Sequence, residues 1–234
     1  DRIRHLSTLS KENIHTIVRL QPIIPHHIDE IPKSLIPRLG EAGVRHIVTE
    51  FLKIPVERIS SEVTIINEVL KLDLFKYYIN KLSLKTSREW VLPSEYKWEL
   101  LQPIIESIHS VGMTFGAGDY GLNHLGDTSC CCGISGLKGF ENINKANFAF
   151  LIASTLKKNL FFTDMESQNL PTKSIKMYMN SHSRIEGKNL LIDFLRHKWN
   201  KPMSENAPDS FLGVTWTGDF DEDHNCIYEN TFRK

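Results

Sequence analysis

Two early stretches alternate apolar and polar residues, and the segment between them repeats at helical spacing. Ile14–Gln21 predicts a strand. Thr16, Val18 and Leu20 fall on one face, with Ile17, Arg19 and Gln21 on the other. Ile31, Leu35, Leu39 and Ala42 then predict a helix, with Asp29 placed to cap it and Pro32 in its first turn. Gly43 fits its end, and Pro37 predicts a kink or an early stop. Arg45–Leu52 predicts the next strand, with Ile47, Thr49 and Phe51 opposite Val48, Glu50 and Leu52. A helical 2–12 precedes all of this. Helix, strand, helix and strand joined by short links is the pattern of a parallel α/β sheet.

Residues 57–84 contain neither glycine nor proline and predict helix, divided near Asp73. Val63, Ile66, Val69, Leu70, Leu74, Tyr77 and Tyr78 form its apolar stripe, read as a packing face. Arg88–Pro93 reads as a connection. Ser94 caps a third helix that turns Leu100, Leu101, Ile104, Ile105 and Ile108 inward, kinks at Pro103 and stops at Gly112. Met113–Phe115 is a short strand. Phe140–Lys158 predicts a helix, 159–174 irregular chain, and Asn189–Trp199 a short helix. Phe211–Thr217 and Cys226–Asn230 predict a hairpin.

Composition narrows the function classes. The chain has 234 residues, 41% of them hydrophobic, enough for one large domain or a domain with an extension. Lys plus Arg and Asp plus Glu both number 28, so no net basic charge marks a nucleic-acid or anionic-membrane partner. No apolar run approaches the roughly 18 residues of a membrane span. The first residues, DRIRHLSTLSKEN, lack a signal peptide's apolar core. Three of the four cysteines are adjacent, a poor disulfide framework, so the expectation is a reducing, cytoplasmic setting.

The densest chemistry lies in Gly112–Gly139, which holds eight of the thirteen glycines and Cys130, Cys131 and Cys132. Those thiols admit three readings. They pack as small hydrophobes; one acts as a hydrogen-atom donor or redox thiol; or one or two ligate metal with His124 or Cys226. Zinc prefers cysteines two to four residues apart, so the spacing is weak for it. Arg19, Gln21 and Glu50 lie near strand C-termini, where parallel folds place their sites. Arg19 and Glu50 either pair with each other or line a polar pocket for an amino-acid-like ligand, with Lys53 at its rim. The turn Asp219, Asp221, Glu222, Asp223 lacks the glycine and the closing glutamate of an EF-hand loop and reads as a solvated hairpin turn. His26, His27 and His182 form no zinc motif, and no nucleophile elbow, Walker A or dinucleotide fingerprint is present.

VRLQPIIP, GVRHIVTEFLKIP and GMTFGAGDYGLNHLGDTSCCCG together resemble the C-terminal half of a radical S-adenosylmethionine protein of the spore photoproduct lyase-like branch. The likeness covers roughly residues 1–55 and 88–140. It implies the C-terminal part of a partial (β/α)6 TIM-like barrel with a helical and β-hairpin C-terminal extension. Residues 1–118 would hold the late barrel units and a helical insert, and 119–234 the Gly/Cys-rich loop and the extension. The family binds a [4Fe–4S] cluster on C-x3-C-x2-C, takes electrons from a donor, and cleaves S-adenosylmethionine to a 5′-deoxyadenosyl radical that abstracts hydrogen from a substrate. C-x3-C-x2-C is absent here. The cluster ligands are expected upstream of Asp1, the chain by itself is expected to be inactive, and the substrate is open. By position on the strands, the resemblance puts Arg19, Gln21 and Glu50 on the adenosylmethionine-facing wall. It puts Cys130, Cys131 and Cys132 on the substrate side or at a second metal. The rival expectation is a non-catalytic metal-binding or protein-interaction domain that uses the cysteine loop structurally.

Overall fold

The structure, a computed structural model, describes residues 2–56, 61–86, 88–141, 144–175 and 190–232. The chain divides into two compact units, Asp1–Phe115 and Gly116–Lys234. In chain order the elements up to the division are α1 (Arg2–Lys11), β1 (Ile17–Ile23), α2 (Ile36–Glu41), β2 (His46–Phe51), β3 (Ile54–Pro55), α3 (Ser61–Leu70), α4 (Leu74–Asn80), β4 (Leu84–Lys85), β5 (Glu89–Val91), α5 (Ser94–Ser110) and β6 (Thr114–Ala117).

The expected parallel sheet forms, in the order β1-β2-β6. Ile17 lies opposite His46 and Leu20 opposite Thr49. The register slips before Ile23, which faces Phe51, so Gln21 and Pro22 oppose Glu50 alone. Every residue of β2 except Glu50 is buried, as expected of a central strand covered on both faces. No barrel closes. The fold is mixed α/β with this small parallel sheet and two antiparallel sheets of three strands.

Several boundaries differ from the sequence pattern for identifiable reasons. The first strand runs Ile17–Ile23 rather than Ile14–Gln21; it takes in Pro22 because β1 is an edge strand, where a missing amide costs least. The helix expected from Asp29 opens as a π turn, Ile31–Leu35, before α2. Pro37 has no N–H for the carbonyl four residues back, so a regular α-ladder cannot run through it. Asp29 is not the cap: Glu30 occupies that position and makes no side-chain cap bond. Asp73 does divide α3 from α4, its carboxylate accepting the Lys76 N–H at 3.0 Å. Val63, Leu74 and Tyr78 are buried as predicted, whereas Val69 is 73% exposed and does not belong to the stripe. Residues 57–60 of the predicted helix lie outside the described residues. Arg88–Pro93 is no mere connection: β5 pairs antiparallel with both β3 and β4. Strands of two or three residues carry no readable periodicity. α5 buries Lys97, Leu101, Ile104 and Ile108 and continues past Pro103; Pro93, not Ser94, sits at its cap position.

The second unit begins with single-turn helices at Tyr120–Leu125 and Ile134–Gly136. It continues through α6 (Phe148–Ser154), β7 (Asn159–Leu160), α7 (Phe162–Glu166), α8 (Leu191–Trp199), β8 (Val214–Phe220) and β9 (Cys226–Asn230). β7, β9 and β8 form an antiparallel sheet, β9 in the centre. The long helix expected over Phe140–Lys158 is only α6. Asn147 starts it, its side-chain oxygen accepting the Ala149 N–H, and residues 142 and 143 lie outside the described residues. Segment 159–174 is not irregular throughout, since it supplies β7 and α7. The predicted hairpin is present and its first strand extends to Phe220. Trp199 is fully buried at the centre of this unit's core, its ring edge-on to Phe148, Phe162 and Tyr228. Among the described residues no helix is long and apolar enough to cross a membrane.

Candidate functional site

Candidate residues lie in both units, and each group is described within its own. In the first unit the C-terminal ends of β1 and β2 carry Arg19, Gln21 and Glu50. Arg19 lies opposite Val48 and is exposed. The partner of Glu50 is not Arg19. Its carboxylate accepts from Lys53 Nζ at 2.6 Å, and both side chains are about a quarter to a third exposed. The Gln21 side-chain nitrogen is buried and has no hydrogen-bond partner. An unsatisfied buried N–H costs about 1–3 kcal/mol. This amide sits in the bulged stretch of β1, where the ladder is locally broken.

Nearby in the same unit lies a group that no sequence signal marked. Tyr77 and Tyr96 join hydroxyl to hydroxyl at 2.5 Å, and Lys81 Nζ lies 4.5 Å from the Tyr96 ring. Burial, and then the bond to Tyr96, push the Tyr77 phenol up, so Tyr77 keeps its proton around neutral pH. Tyr77 was assigned to an apolar stripe. Its pairing with a residue nineteen positions away is invisible to helical periodicity.

The second unit holds the thiols. The chain enters them past the Tyr120–Leu125 turn, which is fastened to the base of the hairpin. The Leu212 N–H donates to the Gly121 carbonyl at 2.9 Å, and His124 Nε2 lies 2.9 Å from the Leu212 oxygen. Phe211 stacks edge-on against the His124 ring. Cys130 to Gly133 then form a β-turn closed by the Gly133 N–H on the Cys130 carbonyl at 3.2 Å. Gly133 has φ +72°, which a side chain would strain. Thr128 Oγ1 donates to the same carbonyl at 2.7 Å.

No family model matches the chain, and no curated protein or solved structure is significantly similar to it.

The turn separates the three cysteines. Cys132 Sγ lies 3.6 Å from Cys130 Sγ and donates toward it, and the Ser135 N–H donates to Cys130 Sγ at 3.2 Å. Cys131, between them, is not part of this contact. Burial raises the Cys130 thiol, but the hydrogen bonds from Ser135 and Cys132 outweigh it and leave it below the usual thiol value. Burial raises the Cys132 thiol; a backbone hydrogen bond from Ile134 opposes this, and donation to Cys130 adds to the rise. The arrangement is a sulfur acceptor at Cys130 beside a donor thiol at Cys132.

Metal ligation by this loop finds no support in the geometry. His124 is committed at Nε2 to the Leu212 carbonyl, and Cys226 is buried in β9. Among the described residues, no three His, Cys, Asp or Glu side chains converge as a metal would require. The acidic turn is a hairpin turn as expected: Asp221 Oδ1 accepts the N–H groups of Asp223 and Asn225 at 3.0 and 2.8 Å. His26 and His27 are exposed and pack edge-on against each other, and His182 lies outside the described residues.

Proposed function

We propose that this chain is the C-terminal part of a radical S-adenosylmethionine enzyme and that the β1–β2 edge of the first unit contributes to the adenosylmethionine site. The observation that carries the reading is the buried, unpartnered Gln21 amide at the C-terminal end of a parallel strand, beside Glu50 on the neighbouring strand. The α-amino-acid end of adenosylmethionine offers the complementary groups. Its carboxylate would accept from the Gln21 amide and from Arg19, and its ammonium would take the Glu50 carboxylate, displacing Lys53. Charge-assisted hydrogen bonds of this kind are the strong ones.

A [4Fe–4S] cluster does not fit the residues described. C-x3-C-x2-C is absent, and the three adjacent cysteines do not converge with a further ligand. Cluster and electron-donor contacts therefore belong to sequence outside this chain. When bound and reduced, adenosylmethionine supplies the hydrogen-abstracting chemistry; this chain's task is to hold its polar end.

The test uses the full-length protein. The reading frame upstream of Asp1 should encode C-x3-C-x2-C, and the anaerobically reconstituted protein should release 5′-deoxyadenosine in the presence of a reductant. Glu50→Gln and Gln21→Ala should each raise the adenosylmethionine KM about tenfold, the ratio corresponding to one lost hydrogen bond of about 1.4 kcal/mol. A start codon directly before Asp1, or a full-length protein that yields no 5′-deoxyadenosine, would overturn the proposal.

A further inference from the structure

We infer that Cys130 and Cys132 form a two-electron redox dithiol, which cycles between the reduced pair and an intramolecular disulfide by exchange with a small disulfide such as oxidised glutathione. The inference stands on the geometry of the turn and is independent of the adenosylmethionine reading, which concerns the other unit.

Three features of the turn carry it. First, the sulfurs are 3.6 Å apart, so bond formation at about 2.05 Å needs a closure of only about 1.5 Å. Second, the turn sits among glycines, Gly126, Gly133 and Gly136, whose backbones adjust with little steric resistance. Third, the two sulfurs have unequal surroundings. Cys130, which is buried, receives the Ser135 N–H and the Cys132 S–H, which favour a thiolate, whereas Cys132 receives the Ile134 N–H and is the more exposed of the two. A nucleophilic thiolate beside a resolving thiol is the pairing that dithiol exchange requires. Cys131 is not a member of this sulfur–sulfur contact, and Cys226 lies on β9, far along the chain from the turn.

The Cys130 thiolate attacks one sulfur of the small disulfide, that S–S bond breaks, and one thiolate leaves. Cys132 then loses its proton to solvent and attacks the Cys130 sulfur of the mixed disulfide, and the second small thiolate leaves. The protein loses two electrons and two protons, and the small disulfide is reduced to two thiols. A reductant of the dithiol class reverses the sequence.

The experiment equilibrates the purified chain in buffers of graded reduced and oxidised glutathione, quenches with acid, alkylates, and reads the products by intact mass and peptide mapping. Wild type and Cys131→Ser should pass from fully alkylatable to a form that has lost two thiols, with the bond mapped to Cys130–Cys132. Cys132→Ser should stop at a glutathione adduct on Cys130, and Cys130→Ser should form neither product at that position. Peptide mapping of wild type decides the matter even where a variant fails to fold. All four thiols remaining alkylatable across the series would refute the inference, as would a disulfide that uses Cys131 or Cys226.

Discussion

Trp199 offers the sharpest test of how the second unit is held together. It is fully buried, lies edge-on to Phe148, Phe162 and Tyr228, and donates its indole N–H to the Cys226 carbonyl at 2.6 Å. Tyr228 in turn donates its hydroxyl to the Trp199 carbonyl. Trp199 therefore joins the last turn of α8 to the central strand β9 by packing and by two hydrogen bonds. Trp199→Ala removes the packing, about 3–5 kcal/mol for a buried aromatic. It also strips the Cys226 carbonyl of its donor, about 1–3 kcal/mol more where water cannot replace it. The sum rivals the 5–15 kcal/mol of a whole domain, so this variant should be largely unfolded. Trp199→Phe keeps most of the ring contact and should lose about 2–3 kcal/mol. Tyr228→Phe loses one hydrogen bond and should cost about 1 kcal/mol. Urea unfolding followed by circular dichroism reads the series: at a slope near 2 kcal/mol/M, Trp199→Phe should lower the midpoint by about 1 M. The order Ala, Phe, Tyr228→Phe is the essential result. A Trp199→Ala protein that melts at the wild-type midpoint would show that α8 and β9 are not joined through this residue.

Further expectations follow from single contacts. Gly43→Ala places a Cβ 2.1 Å from Ser10 Oγ at a backbone φ of +79°, so it should destabilise the first unit by about 1–3 kcal/mol, measured by thermal melting, and Ser10→Gly should restore part of the loss. Because the Cys130 thiol is lowered and the Cys132 thiol raised, iodoacetamide should modify Cys130 first as pH rises from acid; Cys132→Ala removes the S–H donor beside Cys130 and should raise its alkylation midpoint. The linkage sign is that of a depressed acid: the stability this thiolate contributes is present above the unfolded thiol's pKa and is lost as pH falls through the folded value. Asp73→Ala removes the acceptor of the Lys76 N–H at the start of α4 and should cost about 1 kcal/mol by chemical denaturation.

The parts of the fold that could be read in advance are those in which one physical signal dominates. The β1 and β2 alternation, the helical spacing of Leu101, Ile104 and Ile108 and the break at Asp73 each follow from a single period or a single cap. The parts that could not be read depend on partners remote in sequence. β3, β4 and β5 exist because Trp90 lies opposite both Ile54 and Lys85, and none of the three is long enough to alternate. α6 is shorter than the predicted helix because Asn147 caps it, its side chain accepting the Ala149 N–H. The same division holds at the sites. Residue type and strand position singled out Arg19, Gln21 and Glu50, but the Glu50 partner was three residues away rather than on the next strand. The triple cysteine stood out at once, whereas the pairing of its outer two members required the turn that Gly133 closes.

That pairing also separates two uses of a thiol that sequence alone left together. A hydrogen-atom donor must keep an S–H bond, whereas a nucleophile must shed it. Cys130 accepts two hydrogen bonds at sulfur and is the one arranged to shed its proton; burial and donation to Cys130 keep the proton on Cys132. Dithiol exchange therefore begins at Cys130, and any hydrogen-atom donation from this pair would begin at Cys132. Cys130→Ser should abolish the mixed disulfide and still leave an S–H at position 132. On the radical-enzyme proposal, a product formed in deuterated water that carries deuterium in wild type should keep it in Cys130→Ser and lose it in Cys132→Ser if Cys132 is the donor. Label that survives both substitutions would leave the pair with redox exchange alone.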